Sequence, residues 1–151
     1  MGEVIRGVNF PSYLIASFLA GYAMLGVDIM LDGFLGLFGT YRDYMEVMEG
    51  WGVPEEQVFL LMAVGHQINS FLLGIFFAHP AIYSRIPSGG LIKGLIFGFV
   101  WNVLVFLVAI PLYLGGAEFM GLILKDPLSL TLLHMIWGGV LGLLYSPPRS
   151  L

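Results

Sequence analysis

The sequence predicts an all-α integral membrane protein, a four-helix bundle without a soluble domain. Three observations predict it. The 151 residues are 58% hydrophobic and only 11% charged, where a soluble domain carries about 25% charged residues. The mean hydropathy is +0.91. Finally, no Asp, Glu, Lys or Arg occurs between Arg6 and Asp28, Glu56 and Arg85, Lys93 and Glu118, or Asp126 and Arg149. Each gap accommodates the roughly 20 residues of a spanning helix. A backbone in lipid must satisfy its own hydrogen bonds, so each gap reads as a helix.

The spans are placed near 10–31, 57–78, 91–114 and 129–146, making one transmembrane domain of the whole chain. The first follows Asn9 and carries Pro11 in its opening turn. Its apolar run exceeds the roughly 7–15 residues of a signal-peptide core, so it reads as a retained helix. In the connection after it, Tyr41, Tyr44, Met45 and Met48 recur at helical spacing, with Arg42, Asp43, Glu46 and Glu49 between them. A short interfacial helix is expected near 41–49, anchored by Trp51 and the tyrosines. The second span ends at Pro80, and Pro87, Ser88, Gly89 and Gly90 turn the chain into the third. Pro111 is expected to kink the third span. Pro127 and Ser129 open the fourth, and Pro147 with Pro148 closes it.

Arg6, Arg85, Lys93 and Arg149 fall on one side of this arrangement, and Arg42 and Lys125 on the other. The positive-inside rule therefore predicts a multi-pass cell-membrane protein with both termini cytoplasmic. The opposite face is acidic, with Asp32, Asp43, Glu46, Glu49, Glu55, Glu56, Glu118 and Asp126.

The second and fourth spans share a pattern. His66 aligns with His134, Ser70 with Gly138, Gly74 with Gly142 and Pro80 with Pro148; in the first and third, Gly21 aligns with Gly98. The reading is a duplicated two-helix hairpin with pseudo-two-fold symmetry about the membrane normal.

The repeat puts two titratable side chains at matched depth. His66 lies roughly 15 Å inside Glu56 and His134 roughly 12 Å inside Asp126 at helical rise. An intramembrane ionisable residue is a functional candidate. In an up-down-up-down bundle the second and fourth helices are diagonal, and that diagonal suits a haem b with His66 and His134 as axial ligands to its iron. Gly138 and Gly139, with Gly65, would let a macrocycle approach the backbone. The competing reading has each imidazole hydrogen-bonded to a neighbouring helix, with Gln67, Asn69 and Asn102 as available partners. His79, before Pro80, reads as an interfacial residue at a helix C-terminus. Asp28 and Asp32, one turn apart, read as a helix end reaching water, with cation binding or proton transfer as the alternative.

Other classes are excluded or disfavoured. There are no cysteines, and hence no disulfide, thiolate site or thiol nucleophile. A net charge of -4 argues against nucleic acid. No dinucleotide fingerprint, P-loop, nucleophile elbow or HExxH appears, so no hydrolase or transferase is expected. Scarce Asn, Gln and Cys lean towards a thermophilic source.

The segments KGLIFGFVWNVLVFL at 93–107 and LLHMIWGGVLGLLY at 132–145 resemble a family of small archaeal four-span membrane proteins of unknown function. The resemblance covers roughly half of the chain. It implies four spans and carries no chemistry. The expectation from the residues is a membrane b-type cytochrome, one haem between two histidines, exchanging electrons with quinone or respiratory-chain proteins. The alternatives are a cofactor-free accessory subunit of a larger membrane complex and a small transporter built as a homo-oligomer.

Overall fold

The structure, a computed structural model, describes residues 7–112, 121 and 125–148, with side chains through 108 in the first of these segments. Arg6, Glu118 and Arg149 of the charge pattern lie outside the described residues, as do positions 113 and 114 of the expected third span. The helices are α1 (Phe10–Leu35), α2 (Thr40–Gly50), α3 (Glu55–Ala78), α4 (Pro80–Tyr83), α5 (Gly90–Leu112) and α6 (Pro127–Leu144). Four of them, α1, α3, α5 and α6, are long and apolar enough to cross a membrane. Large apolar side chains such as Ile15, Leu60 and Leu107 stand on the outside of the bundle, which makes lipid the matching solvent.

The capping residues set the boundaries. The Asn9 side chain accepts the Ser12 N–H at the start of α1, and the Asp126 carboxylate accepts the Ser129 N–H at the start of α6. α1 continues past the expected end at 31 to Leu35. It stops at Gly36 in the left-handed conformation, whose N–H bonds to the Asp32 carbonyl while Leu37 N–H reaches Leu31. α5 runs through Pro111 to Leu112.

In lipid no hydrophobic force drives helix against helix, so close packing of small residues decides which pairs meet. The α5–α6 pair is the most extensive contact in the bundle. A Cβ on Gly94 would overlap the Gly138 carbonyl, one on Gly98 the His134 carbonyl, and one on Gly90 the Gly142 carbonyl. The α1–α3 pair meets in the corresponding register. Gly21 abuts Gln67 and Ser70, and Gly74 abuts Ser17.

α6 also lies along α1, where the two are tied by polar groups. Trp137 Nε1 donates to Ser70 Oγ at 2.8 Å, and Ser70 Oγ donates to the Ser17 carbonyl at 2.6 Å, linking α6, α3 and α1 in the buried centre. Asn9 Nδ2 donates to the Ser146 carbonyl and Ser146 N–H to Ser12 Oγ, so α1 begins on the face where α6 ends. At that end Phe77, Tyr83, Phe97 and Tyr145 cluster with ring centroids 5.2–6.0 Å apart. Among the described residues, α3 and α5 have no comparable contact along their length. Phe77 against Phe97 joins them at one end, and above it the cleft between them widens into a cavity.

The glycine seam carries a direct test. Gly94→Ala should destabilise the bundle by roughly 1–3 kcal/mol, because the added methyl meets backbone rather than a movable side chain. Gly26→Ala, where a Cβ meets nothing within 4 Å, should leave thermal stability in detergent unchanged or slightly raised. Equal melting temperatures for the two variants would show that the seam does not hold α5 to α6.

Candidate functional site: an intramembrane cavity under helix α2

The cavity has a volume of about 420 Å³. α3 presents one helical face to it, Met62, Gly65, His66, Asn69, Ser70 and Leu73. Spacing of three and four residues puts these on one stripe. α6 adds Leu130, His134 and Trp137, and α5 adds Trp101 and Val105. Thr40, Tyr41, Asp43 and Tyr44 of α2 cover the end away from Phe77, together with Phe38, Lys125 and Asp126. Gly65 and Asn69 line the cavity and are exposed. Among the described residues, the sparse α3–α5 contact leaves the cavity open sideways between these two helices. Asn69 lies roughly 20 Å along α3 from Glu56 and roughly 14 Å from its end at Ala78, near mid-span.

α2 is fastened over this space by a buried carboxylate. Asp28, 1% exposed, accepts the Thr40 N–H at 3.2 Å and the Tyr41 N–H at 2.9 Å. α2 has no capping side chain of its own, since its N-cap is Gly39 with φ 82°. The carboxylate from α1 takes over that role, satisfying orphan N–H groups and facing the positive end of the helix dipole. The expectation that Asp28 and Asp32 mark a helix end reaching water is replaced by two separate tasks. Asp28 holds α2, and Asp32 pairs with Arg42. Phe38, just before α2, adopts a positive φ of 67°. Such a conformation is strained for a bulky residue and is kept only where its surroundings enforce it.

Tyr41 carries the tether inward. Its hydroxyl lies 2.8 Å from His66 Nδ1, and His66 Nε2 lies 2.9 Å from the Gly21 carbonyl. A carbonyl only accepts, so Nε2 carries the proton and Nδ1 accepts from Tyr41. His66 thus has both nitrogens engaged. His134 differs. Its Nδ1 lies 2.8 Å from the Leu130 carbonyl and so donates, leaving Nε2 as the unprotonated nitrogen. Nε2 of His134 and the whole carboxamide of Asn69 take no hydrogen bond from the described residues. The polar residues expected to serve the imidazoles do other things. Gln67 donates to the Ser17 and Phe18 carbonyls and Asn102 to Thr131, while the imidazoles bond backbone carbonyls and Tyr41.

The remaining expected site residues are placed as follows. Gly138 packs against the Gly94 and Gly98 backbone, and Gly139 faces Leu95 and Leu91. Both glycines therefore serve the α5 contact. His79 caps α4, accepting the Ala81 N–H at Nδ1. At the end covered by α2, Lys125 pairs with Asp43, and Arg42 approaches Asp43 at 3.8 Å. No group of three or more His, Asp or Glu able to hold a bare metal ion occurs among the described residues. The sequence reading missed the Asp28 contact and the Tyr41–His66 pair. Both join elements distant in the chain, and the one available signal was the placement of α2 next to an intramembrane aspartate. Comparison with protein-family models, curated proteins and solved structures gives no match.

Burial, reinforced by the charge of Asp28, pushes the Tyr41 hydroxyl well above the usual tyrosine value. A raised folded-state pKa means that the folded state holds this proton more tightly than the unfolded one. Its contribution is complete below about pH 10 and is lost as pH rises beyond that value. Stability measured from pH 8 to 11 should therefore fall more steeply for the native chain than for Tyr41→Phe. The Asp28 tether makes a second prediction. Asp28→Asn should speed amide exchange at Thr40 and Tyr41 by roughly tenfold, about 1–2 kcal/mol of capping, while leaving central α3 unchanged. Unaltered exchange at the start of α2 would show that Asp28 does not hold it.

Proposed function

We propose that this chain is a membrane protein that binds a neutral, lipid-soluble ligand, taken from the bilayer into the cavity between α3, α5 and α6. The observation that carries the proposal is the sideways opening at Asn69 and Gly65, near mid-span. A ligand reaching the cavity by that route must already be dissolved in the hydrocarbon. Mostly apolar walls with a few convergent polar groups are the usual form of a small-molecule site. The charged residues that line the cavity are two carboxylates, Asp43 and Asp126, against one ammonium, Lys125. That balance favours a neutral ligand over an anionic one. Under the charge asymmetry of the loops, α2 and the end of the cavity that it covers lie on the outer side of the cell membrane, with both termini cytoplasmic. The matching registers of the α1–α3 and α5–α6 contacts support descent from a duplicated hairpin.

His134 favours a second reading, the b-type cytochrome. A neutral imidazole oriented through Nδ1–H to a carbonyl, with Nε2 free, is the arrangement of an axial ligand. The donor set fits one such ligand. His66 would have to release either Gly21 or Tyr41 to become a second, and Asp43 and Asp126 at the end under α2 oppose the two propionates. Haem bound there would supply one-electron transfer, with quinone or a respiratory-chain protein as its partner. The chain's own part would be to orient His134 and to keep water from the site beneath α2.

Native mass spectrometry of protein released from lipid nanodiscs separates the two readings. The proposal predicts a one-to-one adduct of a neutral lipid-soluble molecule. Gly65→Trp should abolish it, because the position has open space that an indole would fill. No adduct beyond that of Gly65→Trp would remove the proposal. An absorption spectrum with haem supplied during expression tests the cytochrome. It predicts a b-type reduced band lost in His134→Ala and retained in His66→Ala, and a colourless protein ends that reading.

A further inference from the structure

We infer that the ligand of this cavity is a membrane quinol, a flat ring bearing hydroxyl groups on a hydrocarbon tail. The inference rests on the binding proposal above and names its ligand class. Among the described residues, the cavity holds intramembrane polar groups without hydrogen-bond partners, the His134 Nε2 and the Asn69 carboxamide, with the Trp101 indole N–H as a further free donor. In hydrocarbon an unmet polar group is costly, so these groups mark where a ligand's polar atoms belong. The tautomer fixed by Leu130 makes Nε2 an acceptor, and an acceptor calls for a ligand O–H. The carboxamide both donates and accepts, so it too is answered by a hydroxyl. A ring hydroxyl satisfies either residue, whereas a bare hydrocarbon or an ester satisfies neither Nε2 nor the full amide.

The walls select the shape of the head. Trp101 and Trp137 line the same space. The Trp137 indole N–H is already donated to Ser70, which leaves apolar aromatic surface for the ligand. Aromatic surfaces favour a flat ring in offset or edge contact. The opening between α3 and α5 gives the tail a way into the bilayer while the ring stays inside. The ammonium that lines the cavity, Lys125, is already paired with Asp43, and Asp126 adds a second carboxylate, so the described lining offers no unpaired cation to the phosphate of a phospholipid. The acceptor state of His134 further implies that the reduced ring binds more tightly than the oxidised one, which has carbonyls in place of hydroxyls.

The test uses the full chain in nanodiscs under anaerobic reductant, with a decyl-tailed hydroquinone as probe and bound material quantified by chromatography against empty discs. The expected result is saturable one-to-one retention. Asn69→Leu and His134→Ala should each weaken it roughly threefold to tenfold, the share of one hydrogen bond. The oxidised probe and a decyl phosphate should bind less well than the hydroquinone. Asn69 is exposed, so its replacement does not threaten folding, and circular dichroism checks His134→Ala. Retention no greater than in empty discs, retention unchanged in both variants, or preference for the phosphate overturns the inference. If the neutral adduct blocked by Gly65→Trp is present but the hydroquinone is not retained, the cavity binds lipid-soluble ligands and the quinol class is wrong. If neither is seen, both fall together.

Discussion

The backbone contact between Gly94 and Gly138 is the constraint from which the rest of the bundle follows. Without side chains between them, α5 and α6 approach until main chain meets main chain. Dispersion contacts of this density are what membrane helices have in place of a hydrophobic force. With α5 held to α6, and α6 held to α1 where Asn9 and Ser12 meet Tyr145 and Ser146 and to α3 where Trp137 meets Ser70 and Tyr145 meets Ala78, no contact of equal extent among the described residues draws α3 onto α5. Among the described residues the bundle closes on three sides and opens on the fourth. The cavity is the space left by the unequal strengths of four helix contacts.

That inequality bears on the expected internal repeat. A strict two-fold arrangement of two hairpins would give α3 against α5 the same contact as α6 against α1. The hairpins do meet in matching registers, with Gly21 at Ser70 answering Gly98 at Gly138. The interfaces between the hairpins do not match. Polar groups of α1 and α6 fasten one, while the other is bridged at Phe77 and Phe97. The histidines diverge in the same way. His66 is fixed by Gly21 and Tyr41, and His134 keeps a free nitrogen. Both histidines line the cavity, and His66 also fastens the covering helix through Tyr41.

The sequence made the four apolar helices legible because charge is costly at the centre of a span, so the gaps between charges outline the helices. It also pointed to His66 and His134, for the same reason. Three things were not legible. The imidazoles met two backbone carbonyls, which no residue type marks, and the Tyr41 hydroxyl from a distant helix. The glycines at 138 and 139 fit a ligand or a neighbouring helix equally well in sequence, and the tertiary arrangement assigns them to α5. Asp28 read as a water-facing terminus because the helix that covers it arrives from the next segment of the chain. Depth and polarity are properties of one helix and can be read from it, whereas pairing belongs to two and cannot.

The central claim is that Asn69 stands at an opening onto the hydrocarbon. The chain has no cysteine, so a single spin label at Asn69→Cys reports on that position alone. Its relaxation by dissolved oxygen, which concentrates in lipid, can be compared with relaxation by a water-soluble nickel chelate. The account predicts high oxygen accessibility with little response to nickel, and reduced oxygen accessibility once Gly65→Trp fills the neighbouring space. A label inaccessible to both reagents would show a closed α3–α5 contact. A label relaxed mainly by nickel would show a water-filled path. Either result would contradict the account.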